Sequence, residues 1–179
     1  MLAFLLMRES SPQSDLGPLL TSTLPQFQVD YPKSLTPESP PADDHIAFLA
    51  EKKGPQGRPG TTLVVRQAAH ATADLTTDVS LLNDLESFQN PGRRLIAKRA
   101  VAVPGAASAF IVDAEYPDMA LGGPLIRHVD LVVRGPSGAS YHLVFAGAAD
   151  AFTNSAVEQV VGGFKLSSQA PAGEDDAGP

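Results

Sequence analysis

The sequence contains no cysteine, and this absence excludes several kinds of site. Disulfide bonds, thiolate zinc centres and cysteine nucleophiles all need a sulfur atom that the chain does not provide. A lipid-modified N-terminal cysteine is excluded from this sequence for the same reason. The localisation stays open, because a chain without cysteine suits either side of a membrane.

The chain also lacks a surplus of positive charge. It has 13 Lys and Arg against 20 Asp and Glu, which gives a formal net charge of −7. A field of that sign repels phosphate backbones, so nucleic acid is not an expected partner. With 43% hydrophobic and 18% charged residues, the 179-residue chain has the composition and length of one globular domain.

The apolar N-terminus is too short to cross a membrane. Met1–Met7 reads MLAFLLM, whereas a spanning helix needs about 20 apolar residues, and a signal peptide would begin with basic residues that are missing here. Two interpretations stay open. The segment is either a locally packed terminus or the end of a longer membrane anchor with Arg8 at the interface.

Composition divides the chain into three parts. Residues 1–25 are interpreted as an apolar N-terminus and a flexible linker rich in Ser, Pro and Thr, and residues 26–166 as the folded domain. Residues 167–179 are predicted to be a disordered acidic tail, which contains Glu174, Asp175 and Asp176. Such a tail cannot bury enough apolar area to offset its ordering entropy.

Alternating apolar residues and turn residues predict the strands. Phe27–Tyr31 alternates and ends at Pro32, and residues 33–44 are predicted to be a loop. Two hairpins and two single strands are predicted after this loop. The hairpins are Ile46–Lys52 with Thr61–Gln67, and Ile126–Arg134 with Tyr141–Ala146 around the turn Gly135–Gly138. The single strands are Arg94–Val103 and Ala107–Tyr116.

Two amphipathic helices are predicted. Asp74 caps the first, whose apolar stripe contains Leu75, Val79 and Leu82, widened by Leu81, Leu85 and Phe88. Asp150 is predicted to cap the second, which ends where Gly162 and Gly163 can adopt a left-handed conformation. Its apolar face contains Phe152, Ala156, Val157, Val160 and Val161.

Together these elements predict an α+β fold, with a mostly antiparallel sheet of six to seven strands packed with two main amphipathic helices. Their order resembles the Mog1/PsbP-like superfamily, which includes the LpqN-type lipoproteins, the DcrB-like bacterial proteins and chaperones of type VI secretion effectors. The residues that carry the resemblance are Tyr31-Pro32, Ser140–Phe145, Asp150–Phe152 and Phe164–Leu166.

This resemblance covers about residues 27–166 and implies an α/β sandwich with a non-enzymatic binding, chaperone or accessory role. LpqN-type members carry a lipidated cysteine that this sequence lacks, so lipoprotein attachment is not carried over. No functional residue is carried over either, because the matched Phe145, Phe152 and Phe164 are interpreted as core.

The histidines are the first candidate ligands of a metal. They are His45, His70, His128 and His142. A turn at residues 135–138 pairs His128 with Phe145 and His142 with Leu131, which directs the two imidazoles to opposite faces of the sheet. No metal site is therefore predicted, although a shift of register by one residue would bring them to one face.

Three carboxylates are the candidates for acid–base chemistry. Asp113, Glu115 and Asp130 could serve only if two of them shared a cleft, and nothing in the sequence shows that they do. They are interpreted as groups on solvated strand faces. The sequence thus predicts no catalytic residue, no metal and no cofactor.

A basic run follows the first helix and is the candidate partner-binding site. It consists of Arg93, Arg94, Lys98 and Arg99. Strand alternation places Arg94 and Lys98 on one side and Arg93 and Arg99 on the other, so the run is not one face. The alternative interpretation is that these charges protect an edge strand against unwanted pairing.

The sequence therefore favours a non-catalytic binding or accessory module, tethered to a membrane if the N-terminus is an anchor. A secretion chaperone that shelters an apolar client segment is the first alternative, and a hydrolase with an unrecognised site the second. A protein partner is expected, but the sequence identifies neither the partner nor the oligomeric state.

Overall fold

The computed structural model of the chain describes residues 17–41, 45–56, 58–67 and 74–167. Its helices are α1 (Leu75–Gln89) and α2 (Asn154–Gly162). Its strands are β1 (Leu19–Thr23), β2 (Phe27–Pro32), β3 (Thr36–Glu38), β4 (Ile46–Lys52), β5 (Thr61–Gln67), β6 (Arg94–Ala100), β7 (Ser108–Pro117), β8 (Leu125–Arg134), β9 (Ser140–Ala148) and β10 (Phe164–Leu166).

The strands form two sheets. The larger has seven strands in the order β3-β4-β5-β9-β8-β7-β6, and the smaller has three in the order β1-β2-β10. Neighbouring strands pair antiparallel in both sheets. The predicted α+β class is confirmed, and the separate three-stranded sheet is an addition to it.

The main core lies between the seven-stranded sheet on one side and the smaller sheet with α2 on the other. Alternate residues of β5, β7, β8 and β9 fill it from the larger sheet, and β2, α2 and β10 fill it from the other layer. Phe27, Phe145 and Phe164 are fully buried, and Phe152 is nearly so. The predicted core positions of the phenylalanines are thereby confirmed.

Helix α1 covers the opposite face of the larger sheet and packs against β7 and β8. The Asp74 carboxylate caps it as predicted, because it accepts hydrogen bonds from the backbone N–H groups of Thr76 and Thr77. These hydrogen bonds lower the pKa of Asp74. A smaller core beneath the helix contains Leu75 and Val79, packed on Val112 and Val132.

Helix α2 begins later than predicted. Thr153 is its cap, with its hydroxyl accepting a hydrogen bond from the N–H of Ala156, whereas Asp150 lies in a short 3₁₀ turn at Ala149–Ala151. The left-handed ending is also wrong, since Gly163 has a φ of −81°. A Cβ at Gly163 would lie 2.6 Å from the Cβ of Asp30, so close approach to β2 favours glycine here.

Two segments predicted to lack secondary structure contain strands. β1 lies within the predicted linker and pairs with β2, and β3 lies within the predicted loop and pairs with β4. Both are short and largely exposed, so backbone hydrogen bonds hold them and no apolar alternation marks them. The domain boundaries themselves stay predictions, because residues 1–16 and 168–179 lie outside the described ranges.

The register of the β8–β9 hairpin differs by one residue from the prediction. His128 pairs with Ala146 and His142 with Val132, because the turn includes Ala139 as a fifth residue. Gly135 N–H donates to the carbonyl of Ala139, and Gly138 adopts a φ of +85°, which glycine tolerates best. This shift reverses which side chains share a face of the sheet.

Candidate functional site

The outer flank of α1 exposes three large apolar side chains. Leu81 is 60% exposed, Leu85 52% and Phe88 86%. They follow one another at spacings of four and three residues, so they form one continuous stripe along the helix. The prediction that they widen the buried stripe is wrong, because the sheet beneath α1 receives only Leu75, Val79 and Leu82.

The stripe faces away from the sheet edge formed by β6. Ser80, Asn83 and Ser87 lie on the β6 flank of α1, where they contact Lys98 and Arg93 at 2.9–3.2 Å. With about 3.6 residues per turn, Leu81 and Leu85 lie on the other flank, toward β9. The exposed stripe therefore borders the part of the sheet that α1 does not cover.

That part of the sheet is also apolar. Leu49 of β4 pairs with Val64 of β5, and Val64 pairs with Val144 of β9, so the three side chains form a row on the face that carries α1. Val64 is buried, and Leu49 and Val144 are half-buried. The stripe and this row lie on the same face of the sheet, and the surface between them is called the groove below.

A polar cluster lies under the helix at the edge of this groove. The Nε2 atoms of His142 and His128 lie 2.8 and 3.4 Å from the same Oδ1 atom of Asp130, which is buried. The Nδ1 atom of His128 lies 3.7 Å from Oε2 of Glu86 and 3.4 Å from the hydroxyl of Tyr116. The prediction that the two histidines diverge is wrong, because it depended on the incorrect register.

This cluster orients imidazoles but presents no activated nucleophile. In the described part of the chain, the hydroxyl that contacts this cluster is that of Tyr116, beside His128. Burial, followed by the charges of Glu86 and Asp130, raises the pKa of this phenol, which opposes formation of a phenolate. The geometry resembles a buried structural network more than a general-base site.

We expect the purified protein to contain no stoichiometric metal. Within the described ranges no group of three or more His, Asp or Glu side chains is arranged to hold one, and the chain has no thiolate. Elemental analysis by mass spectrometry tests this prediction. The measurement also covers His70, which lies outside the described ranges. One zinc or iron per chain, removed by Asp130→Asn, would contradict it and assign the ion to the cluster.

A second buried polar group, the pair of Arg127 and Asp113, lies on the other face of the sheet, and sequence analysis named Asp113 but not Arg127. The Arg127 guanidinium donates two hydrogen bonds to Asp113, at 2.9 and 2.6 Å, and further ones to the Phe152 carbonyl and to Asn154. The hydrogen bonds to Asp113 raise the pKa of Arg127. The available signal was a pair of opposite charges, Asp113 and Arg127, on two strands that the sequence predicts to be neighbours.

The three candidate carboxylates divide between the two faces of the sheet. Asp113 faces the main core and Asp130 faces α1, because their positions alternate across β7 and β8. Glu115 forms an ion pair of 2.6 Å with Arg94. Asp113 and Glu115 share one face of β7 beside Arg127, and each forms an ion pair with an arginine, so neither is a free acid or base.

The basic run is divided between two faces, but not as predicted. Arg94 and Arg99 form ion pairs with Glu115 and Glu158 on the side of α2, whereas Arg93 and Lys98 contact α1. A bulge between Leu95 and Ala97 inverts the alternation that the prediction assumed. The expectation that β6 is an edge strand is confirmed.

A small cleft of about 160 Å³ opens at the turn between β4 and β5. Lys52, Lys53 and Arg58 line it, and Arg58 forms an ion pair with Asp150. A Cβ at Gly54 would lie 2.3 Å from the carbonyl oxygen of Arg58, so glycine lets the turn close here. The ion pair with Asp150 partly neutralises the positive charge of the cleft.

Comparison with known proteins identifies the fold. No model of a known family matches the chain, and no curated protein sequence matches it either. Among solved structures, the fold is similar to that of LpqN, a protein of Mycobacterium tuberculosis involved in cell envelope biogenesis. The TM-score is 0.58 at 14% identity, and the match covers 84% of this chain and 91% of LpqN.

Two further structures agree. Cyanobacterial PsbP (CyanoP) from Synechocystis sp. PCC 6803 matches with a TM-score of 0.57 at 13% identity, over 83% of this chain and 92% of that one. The Ran-binding protein Mog1p of Saccharomyces cerevisiae matches with a TM-score of 0.53 at 9% identity, and the match covers 83% of this chain and 95% of Mog1p. The chain thus has the Mog1/PsbP-like fold, and the predicted resemblance is confirmed at that level.

Proposed function

We propose that the chain is a non-catalytic binding module that docks a protein partner in the groove between α1 and the open half of the sheet. The observation that carries this proposal is the continuous exposure of Leu81, Leu85 and Phe88. Single exposed apolar residues are common, whereas a contiguous stripe marks an interaction site. One solved structure of the same fold is that of a Ran-binding protein, which supports a protein partner.

The expected occupant is an amphipathic helix with apolar anchors and basic flanks. A helix lying in a groove uses such anchors at spacings of three and four residues. The exposed Asp84 lies between Leu81 and Leu85 in the sequence, and the chain carries a net charge of −7. Both features attract a positively charged partner and accelerate its association.

The chaperone alternative draws on the same stripe. A client segment with apolar residues would be sheltered there and released later, so release would distinguish a chaperone from a stable accessory module.

A membrane tether through Met1–Met7 stays a proposal, because that segment lies outside the described ranges. No helix in those ranges has the length and hydropathy needed to cross a bilayer.

We expect a triple variant of the stripe, Leu81→Gln, Leu85→Gln and Phe88→Gln, to lose its partner without losing stability. Exposed substitutions usually change the free energy of unfolding by less than about 0.5 kcal/mol each. The test is affinity capture with the intact chain, quantified by mass spectrometry and followed by titration of the captured protein.

The matched control is Met119→Gln, Leu121→Gln and Leu125→Gln, which removes exposed apolar residues at the connection between β7 and β8. A partner lost with the stripe variant and kept with this control supports the proposal. Equal retention by both variants would refute it. Sedimentation that shows a dimer dissociated by the stripe variant would also refute it, because the occupant would then be a second copy.

A further inference from the structure

Strand β6 leaves one edge of the seven-stranded sheet open. It ends the strand order, and within the described ranges no strand pairs with its outer side. All of its residues except Ala97 are exposed. An open edge of this kind can receive an extended segment of another chain, which then adds a strand to the sheet.

The register with β7 shows which backbone groups face the open side. The N–H of Val101, directly after β6, donates to the carbonyl of Ala109 at 3.0 Å. Hydrogen-bonded and non-hydrogen-bonded pairs alternate along an antiparallel ladder, so Arg99 is bonded to β7 as Val101 is. Lys98 and Ala100 instead direct their N–H and C=O groups outward, where an added strand can bond to them.

Positive charge dominates the side chains of this edge. Arg94 and Arg99 each form an ion pair with a glutamate, but the arginine side chains are 73% and 46% exposed, and exposed pairs contribute little. Arg93 and Lys98 donate hydrogen bonds to neutral side chains of α1. Among the ion pairs of the described residues, these four cations therefore meet two carboxylates, on a chain with a net charge of −7.

Two exposed apolar side chains lie between the cations. Leu95 is 46% exposed and Ile96 38%. Charge alone can protect a sheet edge against unwanted pairing, but protection gives no reason to expose leucine and isoleucine in the middle of the strand. A partner strand that covers them buries apolar surface. The edge thus offers backbone groups, charge and apolar surface together.

We infer that β6 binds an extended acidic segment of a protein partner by strand addition, as an eighth strand of the larger sheet. Backbone hydrogen bonds to Lys98 and Ala100 hold the segment, and its carboxylates pair with the cations on both faces. A second copy of β6 is a poor occupant, because it places cations next to cations. The pattern that fits is two acidic pairs separated by about three apolar or β-branched residues. This surface is separate from the groove.

The probe for this site is the capped heptapeptide Glu-Asp-Val-Thr-Val-Asp-Glu, titrated into the full chain. Its symmetric sequence presents the same pattern in either strand direction. In hydrogen-exchange NMR at low salt, the amides of Lys98 and Ala100 should exchange about tenfold more slowly at ~90% occupancy, because exchange then proceeds from the free fraction. The amides of Ala97 and Arg99, which already bond to β7, should change little. A peptide with lysine in place of each acid should give no protection.

N-methylation of the peptide separates strand addition from charge attraction. Alternate N–H groups of an added strand face β6, so methylation of one alternate set should abolish the protection and methylation of the other set should preserve it. Equal effects of the two sets overturn the inference. Binding that leaves the Lys98 and Ala100 amides unprotected also overturns it, as does equal binding of the lysine peptide or no binding of the acidic one.

Two variants at one position provide the matched control on the protein. Lys98→Gln and Lys98→Pro both remove the charge, but only proline removes the outward N–H, which an edge strand tolerates. Lys98→Pro should therefore bind the peptide about fivefold more weakly than Lys98→Gln, and equal affinities contradict strand addition. The stripe variant should bind the peptide as the parent does. Sedimentation that shows a dimer dissociated by Lys98→Pro overturns the inference, because the occupant is then a second copy.

Discussion

Replacing Phe152 by alanine is expected to lower the melting temperature by about 6 to 20 °C. The Phe152 ring is buried and packs on Phe145 with a centroid distance of 4.4 Å. Truncating a buried phenylalanine costs about 3–5 kcal/mol, and each kcal/mol shifts the melting temperature by about 2–4 °C in a domain of this size. Thermal unfolding followed by circular dichroism measures the shift.

Phe88→Ala is the matched control, because it removes the same ring from a position that is 86% exposed. Its effect should be within about 0.5 kcal/mol of zero. If both variants melted within about 2 °C of the parent, the core assignment of Phe152 would be wrong.

Arg127→Met should destabilise the protein by about 3–5 kcal/mol, because it leaves the buried carboxylate of Asp113 without its partner. It also removes the donors to the Phe152 carbonyl and to Asn154, which hold the start of α2 against the sheet. Urea unfolding of the variant measures the loss.

Two further variants isolate the cause. Arg99→Met breaks an exposed ion pair of the same chemistry, with Glu158, and should cost no more than about 1 kcal/mol. Arg127→Met combined with Asp113→Leu removes both buried charges, so it should recover most of the lost stability. If Arg127→Met cost no more than Arg99→Met, the buried pair would not stabilise the connection to α2.

The fold could be read from the sequence where local patterns are sufficient. Asp74 gave the start of α1, apolar runs around glycine-rich turns gave both hairpins, and the buried phenylalanines gave the core. β1 could not be read in this way, because LLTST has no alternation and depends on backbone pairing with β2.

The candidate site was less accessible to sequence reasoning. An apolar stripe on a helix does not say which of its members meet a sheet, and the exposure of Leu85 and Phe88 follows from where α1 lies on β7 and β8. The His128–Asp130–His142 cluster depended on one turn residue, Ala139, which strand periodicity does not locate. The bulge beside Leu95 likewise inverted the assignment of the basic run.

The pairing of β2 with β10 has a consequence for how the chain folds during synthesis. The smaller sheet, which covers the main core, is completed by strands far apart in sequence, with Phe164 of β10 opposite Val29 of β2. Until β10 leaves the ribosome, the apolar face of β2 lacks one neighbouring strand, and the larger sheet lacks part of its cover. Such late non-local closure slows folding and leaves exposed apolar surface on the nascent chain. Holding factors that act during translation should therefore matter most just before residues 164–166 emerge.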